Sequence, residues 1–317
     1  MKLFNKDLGK KDRRIITVGI LTSIAILEIV LFCFFKDKES DDENYRNAFA
    51  HQYGIYSPEL PDRLNFAGEP VPLNDFDVKE SLDKELMVNI YWQSQTLLFL
   101  KKAHRFFPVI EPILKKNHIP DDFKYLAVAE SGLSNEVSPA GARGFWQLLE
   151  KTAKDCGLEV NEEVDERYNL EKATEAACQY LRSSYKTQKN WTLVAASYNI
   201  GKTGVSRQLS KQKVDNYYDL LFGEETARYI FRILAIKLIV TNPDKYGYHL
   251  REKDLYPIIP VTKIKIDSSV DNWSDFAQSH SVNYKILKIF NPWLKGYTLT
   301  NKEKKTYMIS LPQKGLR

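Results

Sequence analysis

Cysteine and histidine are scarce in this chain. Its 317 residues include three cysteines and five histidines, and no histidine stands at paired spacing with a cysteine or an acidic residue. Because zinc sites need such clusters, the sequence indicates no metal site, and it indicates no cofactor. Cys156 and Cys178 stand among apolar residues, which favours free thiols, although an oxidising compartment would allow them to pair.

The chain also lacks a strong charge of either sign. The formal net charge is +5, and the basic residues are scattered among the acidic ones rather than clustered. A nucleic-acid-binding protein would show a basic patch, so the sequence indicates no nucleic-acid partner. Hydrophobic residues make up 43% of the chain and aromatic residues 12%. This composition excludes a disordered protein and predicts one large core or two modest ones.

One long apolar run extends from Ile15 to Phe35. About 20 apolar residues suffice to span a bilayer, so the run predicts a transmembrane anchor over 15–35, with Glu28 as a single costly residue. The basic stretch KKDRR precedes it and the acid-rich KDKESDDE follows it. This asymmetry predicts a cytoplasmic tail over 1–14 and the rest of the chain outside.

A cleaved signal peptide is the alternative interpretation of this run. Ala48-Phe49-Ala50 has the small-x-small form of a cleavage site. However, the apolar core of a signal peptide is usually shorter, and this site lies well downstream of the run. The pattern therefore favours an uncleaved anchor.

Three regions follow the run. Residues 36–83 are polar and proline-containing, which predicts a tether or a loosely ordered arm. Residues 84–257 show helical periodicity almost throughout, which predicts an all-α domain. Residues 258–317 combine two alternating stretches, VTKIKI and TYMISLP, with two short helical patterns between them, and this order predicts a small β-α-α-β module. So small a module needs a ligand or the larger domain to bury its core.

The helical pattern of the larger region divides into segments separated by proline, glycine or polar residues. The predicted helices lie near 86–107, 108–116, 123–131, 150–156, 170–185, 191–199 and 224–240.

A glutamate lies on the apolar face of the third of these helices. In the stretch FKYLAVAESGLS, Asp121 or Asp122 is the predicted N-cap, and Glu130 follows Phe123 at helical spacing i+7. Burial disfavours the charged carboxylate, so the pKa of Glu130 is expected to lie above its usual value. Gly132 is expected to end the helix and leave the acid beside a loop. A structural ion pair with an arginine is the alternative.

Two further stretches have the composition of a cleft wall. SPAGARGFWQL, from Ser138 to Leu148, combines loop glycines with Gln147, whose amide can bind sugar hydroxyl or acetamido groups. AASYNIGKTGV ends a helix at glycine and leaves Tyr198 and Asn199 at the helix end. The aromatic pair before Gln147 is equally compatible with plain core packing.

These residues, in this order, resemble the soluble lytic transglycosylase (SLT) domain. The resemblance extends over roughly 91–246, and the Phe-Trp-Gln form together with the anchor is most similar to the membrane-bound members. The matching positions are Glu130-Ser131, Ser138, Gly141-Ala142, Gly144, Gln147, Thr152-Ala153, Asp165-Glu166-Arg167, Tyr198-Asn199 and Gly201.

The resemblance implies a lysozyme-like fold and a peptidoglycan substrate. It implies that Glu130 protonates the glycosidic oxygen between N-acetylmuramic acid and N-acetylglucosamine, then takes the proton of the muramic 6-hydroxyl, which closes a 1,6-anhydro ring. We interpret Asp165, Glu166 and Arg167 as a structural ion-pair turn, and we expect Glu136 in solvent. The implied location is the cytoplasmic membrane, with the catalytic part in the periplasm or facing the cell wall. The implied substrate contacts are Ser131, Ser138, Gln147, Tyr198, Asn199 and Tyr229.

The sequence departs from the family pattern at two places. Leu149-Glu150 stands where Met-Pro is usual, and Ser197 replaces the alanine before Tyr198-Asn199. The first departure affects expected substrate preference rather than the reaction.

The C-terminal module is similar to LysM, a small glycan-binding fold, through WSDFAQSHSVNYKILKIFNPWL. Its usual Gly-Asp is replaced by Ser268-Ser269 and Asp271, so the module has either a glycan-binding or a merely structural role.

Two other functions fit the same residues. A hydrolytic muramidase would use Glu130 with water as the attacking group. A non-catalytic peptidoglycan-binding protein would retain the cleft without the reaction. The products released from peptidoglycan separate the first from a transglycosylase, and the effect of Glu130→Gln separates the second.

Overall fold

The computed structural model of the protein describes residues 18–24, 26–28, 43–45 and 55–313. These residues belong to two compact units, Met1–Ser57 and Pro58–Arg317. In the first unit the described residues before position 55 are helical. No helix within the described residues has both the length and the hydropathy needed to cross a bilayer. Of the 21 residues of the predicted anchor at 15–35, 11 lie outside these residues, and the candidate cleavage site at 48–50 lies wholly outside them.

The second unit begins with a helical domain, as the periodicity predicts. A short antiparallel hairpin, β1 (Asn65–Phe66) and β2 (Glu69–Pro70), precedes its helices. The helices are α1 (Phe76–Tyr91), α2 (Gln93–Lys116), α3 (Phe123–Ser131), α4 (Glu150–Asp155), α5 (Leu170–Gln188), α6 (Trp191–Ile200), α7 (Lys202–Gln212) and α8 (Glu224–Thr241).

The short helix α3 lies at the centre of this domain. Its residues from Phe123 to Val128 are buried, and it packs against α2 and α8. The core around it is a single apolar cluster to which every helix of the domain contributes. Because α3 is apolar on nearly all sides, burial rather than helix propensity holds it in place.

The tether prediction fails for the part of 36–83 that the structure describes after residue 57. Phe66 and Leu82 are fully buried in the main core, and Val71 and Val78 are nearly so. Helix α1 begins at Phe76, ten residues earlier than its predicted start near Leu86. The first of these apolar residues, Phe66, has no periodic apolar neighbours in the sequence, because a hairpin rather than a continuous helix brings it to the core.

Two helix boundaries also differ from the prediction. The helix predicted over 86–107 is interrupted at Trp92, between α1 and α2. Helix α2 then continues through Pro108 and Pro112, although a boundary was predicted between residues 107 and 108. Both prolines lie on the exposed side of α2, where water can satisfy the carbonyls that lose a backbone partner. Helix α7 was not predicted, since Val205 is its only buried residue and its sequence is polar.

The C-terminal module has the predicted β-α-α-β order. It consists of β3 (Val261–Ile266), α9 (Trp273–Ser279), α10 (Tyr284–Phe290) and β4 (Tyr307–Pro312). The two strands pair antiparallel from Val261 opposite Pro312 to Ile266 opposite Tyr307. Its core also contains Val164, a residue of the helical domain. The module therefore buries its core against the larger domain, one of the two possibilities expected from its size.

Candidate active site

Helix α3 carries Glu130 in its last turn. Asp122 is the N-cap residue, one of the two predicted positions, but its side chain makes no capping hydrogen bond. Its carboxylate instead accepts hydrogen bonds from Ala67 N at 2.6 Å and Lys237 Nζ at 2.7 Å. These bonds tie the start of α3 to the hairpin and to α8. At its other end, Gly132 adopts φ 58° and ends the helix, as predicted.

The side chain of Glu130 is half-buried, and its carboxyl group is bonded to one phenol. Tyr229, itself 2% exposed, donates its hydroxyl proton to Glu130 Oε1. Burial raises the pKa of Glu130 from its ordinary value to about 7, although the Tyr229 bond and the positive charge of Arg232 act in the opposite direction. The nearby Glu225 adds to the rise. The sequence-based expectation of a raised pKa is therefore confirmed, and the acid holds a proton near neutrality.

Glu130 faces a cleft of about 670 Å³, a volume within the range of small-molecule sites. Four of the six predicted substrate contacts line this cleft together with Glu130. They are Ser138, Gln147, Tyr198 and Asn199.

The loop from Ser138 to Leu148 forms one wall of the cleft and is held by its own hydrogen bonds. Ser138 Oγ accepts from Ala142 N at 3.0 Å, which closes the turn around Gly141. Gln147 adopts φ 45°, and its Nε2 donates to Gly144 O at 2.8 Å and Glu136 O at 3.0 Å. The amide oxygen of Gln147 is then the group it can offer to a ligand.

A very close backbone approach anchors this loop from behind. Gly144 adopts φ 78°, and a Cβ atom placed on it would lie 2.0 Å from Arg167 O. Arg167 is buried and forms the predicted ion-pair turn, with Nε and Nη2 each 2.8 Å from the carboxylate of Asp165. Only glycine fits between the loop and this turn.

Helix α6 forms the opposite wall. Tyr198 donates its hydroxyl proton to Trp146 O at 2.7 Å, which joins α6 to the loop. Asn199 Oδ1 accepts from Thr226 Oγ1 at 2.7 Å, and its Nδ2 donates to Glu225 Oε1 at 3.4 Å. The two walls are thus fixed to each other and to α8 before any ligand binds.

The structure places the other two predicted substrate contacts elsewhere. Ser131 does not line the cleft; its hydroxyl donates to Phe145 O at 2.8 Å and joins α3 to the loop. Tyr229 lies behind Glu130 and reaches the cleft only through that carboxyl group. Both were predicted as sugar contacts; neither is among the residues that line the cleft, and each hydroxyl group donates to another part of the protein.

Sequence reasoning missed several residues of the cleft. Glu225 lines it, as do the side chains of Tyr180, Leu149 and Ile200. The signal for Glu225 was available, because it precedes Tyr229 by four residues and Arg232 by seven, which puts all three on one face of α8. Leu149, the departure from the usual methionine, is 47% exposed and forms part of the rim.

Comparison with known families agrees with this geometry. Residues 107–221, which contain Glu130, the loop and α6, match the family described as "Transglycosylase SLT domain". This chain carries an SLT domain. Residues 262–315 match the "Soluble lytic transglycosylase C-terminal LysM-like domain", so a LysM-like domain follows the SLT domain. Glu225 and Tyr229 lie just beyond the matched part of the SLT domain.

Curated proteins similar to the chain are named accordingly. Two proteins called membrane-bound lytic murein transglycosylase D, from Escherichia coli strain K12 and from Escherichia coli O6:H1, are each 27% identical to it over 235 residues. The aligned part covers 72% of this chain and 50% of each relative, so the chain spans about half the length of the curated relatives it matches.

Proposed function

We propose that the protein is a peptidoglycan lytic transglycosylase. It cleaves the β-1,4 bond between N-acetylmuramic acid and N-acetylglucosamine and leaves 1,6-anhydromuramic ends. The observation that carries this proposal is Glu130, a carboxyl group with a pKa of about 7 that lines the same cleft as Ser138, Gln147, Tyr198 and Asn199. The SLT match and the names of the relatives support the same reaction.

In this mechanism Glu130 acts twice. In its protonated form it donates to the glycosidic oxygen, while the acetamido group of the substrate stabilises the developing positive charge on the anomeric carbon. The resulting carboxylate then accepts the proton of the muramic 6-hydroxyl, whose oxygen bonds to the anomeric carbon. The Tyr229 hydroxyl holds the carboxyl group in one orientation throughout and stabilises its charged form after the first step.

The remaining cleft residues position the sugar chain. Ser138 and Gln147 offer a hydroxyl group and an amide oxygen from the loop, and Tyr198 and Asn199 lie on the opposite wall. Because each of them is fixed by bonds to the protein, little side-chain freedom is lost when substrate binds.

A hydrolytic muramidase is the second candidate function, and one residue favours it. Glu225 places a second carboxyl group in the cleft, and ordinary glycosidases use such a pair, one member to activate water. Asn199 and the start of α8 hold Glu225 in place. The two reactions differ in product, because hydrolysis leaves a reducing end and transglycosylation leaves an anhydro ring.

Digestion of purified sacculi with the full chain tests the two candidates. We expect mass spectrometry of the soluble fragments to show anhydromuramic ends, each lighter than the corresponding reducing end by one water. Fragments that carry only reducing ends would establish the muramidase instead.

The pH dependence of the reaction tests the role of Tyr229. Glu130 must be protonated for the first step, so kcat/KM is expected to be high below the pKa of about 7 and to fall as pH rises through it. Because the Tyr229 bond favours the carboxylate, Tyr229→Phe raises that pKa and moves the falling limb to higher pH by about one pH unit.

Tyr198→Phe is the matched control for this measurement. It removes the same hydroxyl group from a neighbouring tyrosine whose proton goes to Trp146 O rather than to Glu130. We expect it to change kcat/KM without changing the pH at which kcat/KM falls. If kcat/KM falls at the same pH in Tyr229→Phe as in the wild type, the Tyr229 bond does not affect the pKa of the titrating group, and the assigned role of Tyr229 is wrong.

We also propose that residues 15–35 anchor the protein in the cytoplasmic membrane, with the SLT domain on the periplasmic or wall-facing side. The apolar run and the preceding KKDRR support this location, as does the membrane-bound description of the relatives. The full chain is expected in the membrane fraction after carbonate extraction. Release of uncleaved protein by carbonate would exclude the anchor.

A further inference from the structure

The LysM-like domain shares its core with one segment of the SLT domain, residues 159–167, called the bridging segment below. Val164 in this segment is 1% exposed and packs within the apolar core of the LysM-like domain. Its main chain forms an antiparallel bridge with Leu294. Next to this bridge, Asp165 N donates to Trp293 O at 2.8 Å. The two domains are thus joined as strands are joined in a sheet.

Side chains of the bridging segment add to this connection. The carboxylate of Glu163 accepts from Thr298 Oγ1 at 2.6 Å and from Thr300 N at 2.8 Å. Tyr307, on strand β4, donates its hydroxyl proton to Glu159 Oε2 at 2.9 Å. These bonds involve both the loop after α10 and the last strand, so the segment contacts much of the LysM-like domain.

The opposite side of the bridging segment supports the cleft wall. Arg167 Nη1 donates to Gly141 O at 3.2 Å and to Leu148 O at 3.4 Å, which lie near the two ends of the cleft loop. The carbonyl group of Arg167 is the surface against which Gly144 packs. The loop that presents Ser138 and Gln147 to the substrate therefore rests on a segment whose other side belongs to the LysM-like core.

We propose that the LysM-like domain acts as a positioning element of the catalytic cleft, with Val164 and Asp165 as the positioning residues that transmit its support to the cleft loop. This inference rests on the proposed function, because its effect is measured on that reaction. It assigns the domain a role within the active site that is separate from any binding of glycan by the domain itself.

A positioning role and a glycan-binding role of the LysM-like domain predict different effects on the turnover of short and long substrates. A domain that only binds glycan increases turnover of long strands, which reach both domains, and has no effect on a fragment that fills the cleft alone. A domain that positions the cleft loop affects both substrates equally, since misplacing a binding group by about 1 Å is enough to lower the rate of a reaction severely.

Two variants of the full chain weaken the connection, and a third is the matched control. Val164→Ser removes apolar contact from the shared core, and Glu163→Ala removes only the exposed bonds to Thr298 and Thr300, so the second variant folds even if the first does not. Lys263→Ala breaks an exposed ion pair of 2.6 Å with Glu171, which joins the same two domains away from the bridging segment.

The variants are compared by kcat/KM on a muropeptide tetrasaccharide and on sacculi, and by amide hydrogen exchange of residues 138–148. In Val164→Ser we expect kcat/KM to fall about tenfold on both substrates and hydrogen exchange of residues 138–148 to become faster. We expect a smaller fall in kcat/KM for Glu163→Ala and no fall for Lys263→Ala. Unchanged tetrasaccharide turnover in both variants, or a loss confined to sacculi, would overturn the proposal.

The same experiment keeps the two proposals apart. If the wild-type chain yields no anhydromuramic ends, the proposed reaction fails, whereas the exchange of residues 138–148 still reports whether the LysM-like domain supports the cleft loop. If the loop exchanges at the wild-type rate in Val164→Ser and Glu163→Ala, the positioning role fails whatever the product.

Discussion

Replacing Glu130 with glutamine is expected to lower the lytic activity on sacculi by at least about 10³-fold. General acid–base catalysis contributes about 10²- to 10⁴-fold to a rate, and one carboxyl group carries both proton transfers in the proposed mechanism. Glutamine has nearly the same shape and still offers an oxygen to the Tyr229 hydroxyl. The loss is therefore expected without unfolding, and the release of soluble fragments and a thermal melt measure the two quantities separately.

Glu136→Gln is the control for this substitution. Glu136 is exposed, as expected from the sequence, and lies six residues from Glu130 in the same region of the chain. The same chemical change there is expected to leave lysis at the wild-type rate. Lysis that persists in Glu130→Gln would instead favour a non-enzymatic role for the cleft, the third function that the sequence allowed.

Gly144→Ala is expected to cause the largest loss of stability among substitutions in the cleft wall. Its Cβ would lie 2.0 Å from Arg167 O, a backbone atom that cannot rotate away. The cleft loop must therefore move off the bridging segment, and overpacking of this kind costs about 1–3 kcal/mol. The positive φ of the residue adds about 1–2 kcal/mol. Lytic activity should fall as well, because Gln147 lies on the displaced loop.

Gly141→Ala separates these two contributions. Gly141 has nearly the same φ, 80°, but no atom lies within 4 Å of the position its Cβ would take. Denaturant unfolding should therefore give a free energy of unfolding for Gly144→Ala that is lower than that for Gly141→Ala by about 2 kcal/mol. Equal values for the two variants would mean that the loop does not rest on Arg167.

Much of the cleft could be predicted because its chemistry is local in sequence. Glu130 is recognisable from a carboxylate placed at i+7 on an apolar helix, and the loop before Leu148 from its glycines and amide. The spacing shows that Glu130 lies on the apolar face of the helix, and burial on that face determines that its pKa shifts upward. The β-α-α-β order of the C-terminal module was visible for the same reason, since alternation and helical periodicity are short-range patterns.

The features that the sequence did not predict are contacts between residues distant in the chain. The roles of Ser131 and Tyr229 depend on which atoms their hydroxyl groups meet, and those partners lie in other elements. Phe66 has no periodic neighbours, so only the folded hairpin reveals that it belongs to the core. Likewise, the burial of Val164 in the LysM-like domain depends on a pairing across more than a hundred residues of chain.

The proposed reaction requires Glu130 to hold its proton near neutrality, and a titration of this carboxyl group measures whether it does. Carbon-13 NMR of the full chain labelled at glutamate Cδ follows each carboxyl group, and the signal lost in Glu130→Gln identifies Glu130. A midpoint of about 7 is predicted, and it should rise in Tyr229→Phe. A midpoint near the ordinary glutamate value of about 4.3 would contradict the account, because the carboxyl group would then have no proton to donate.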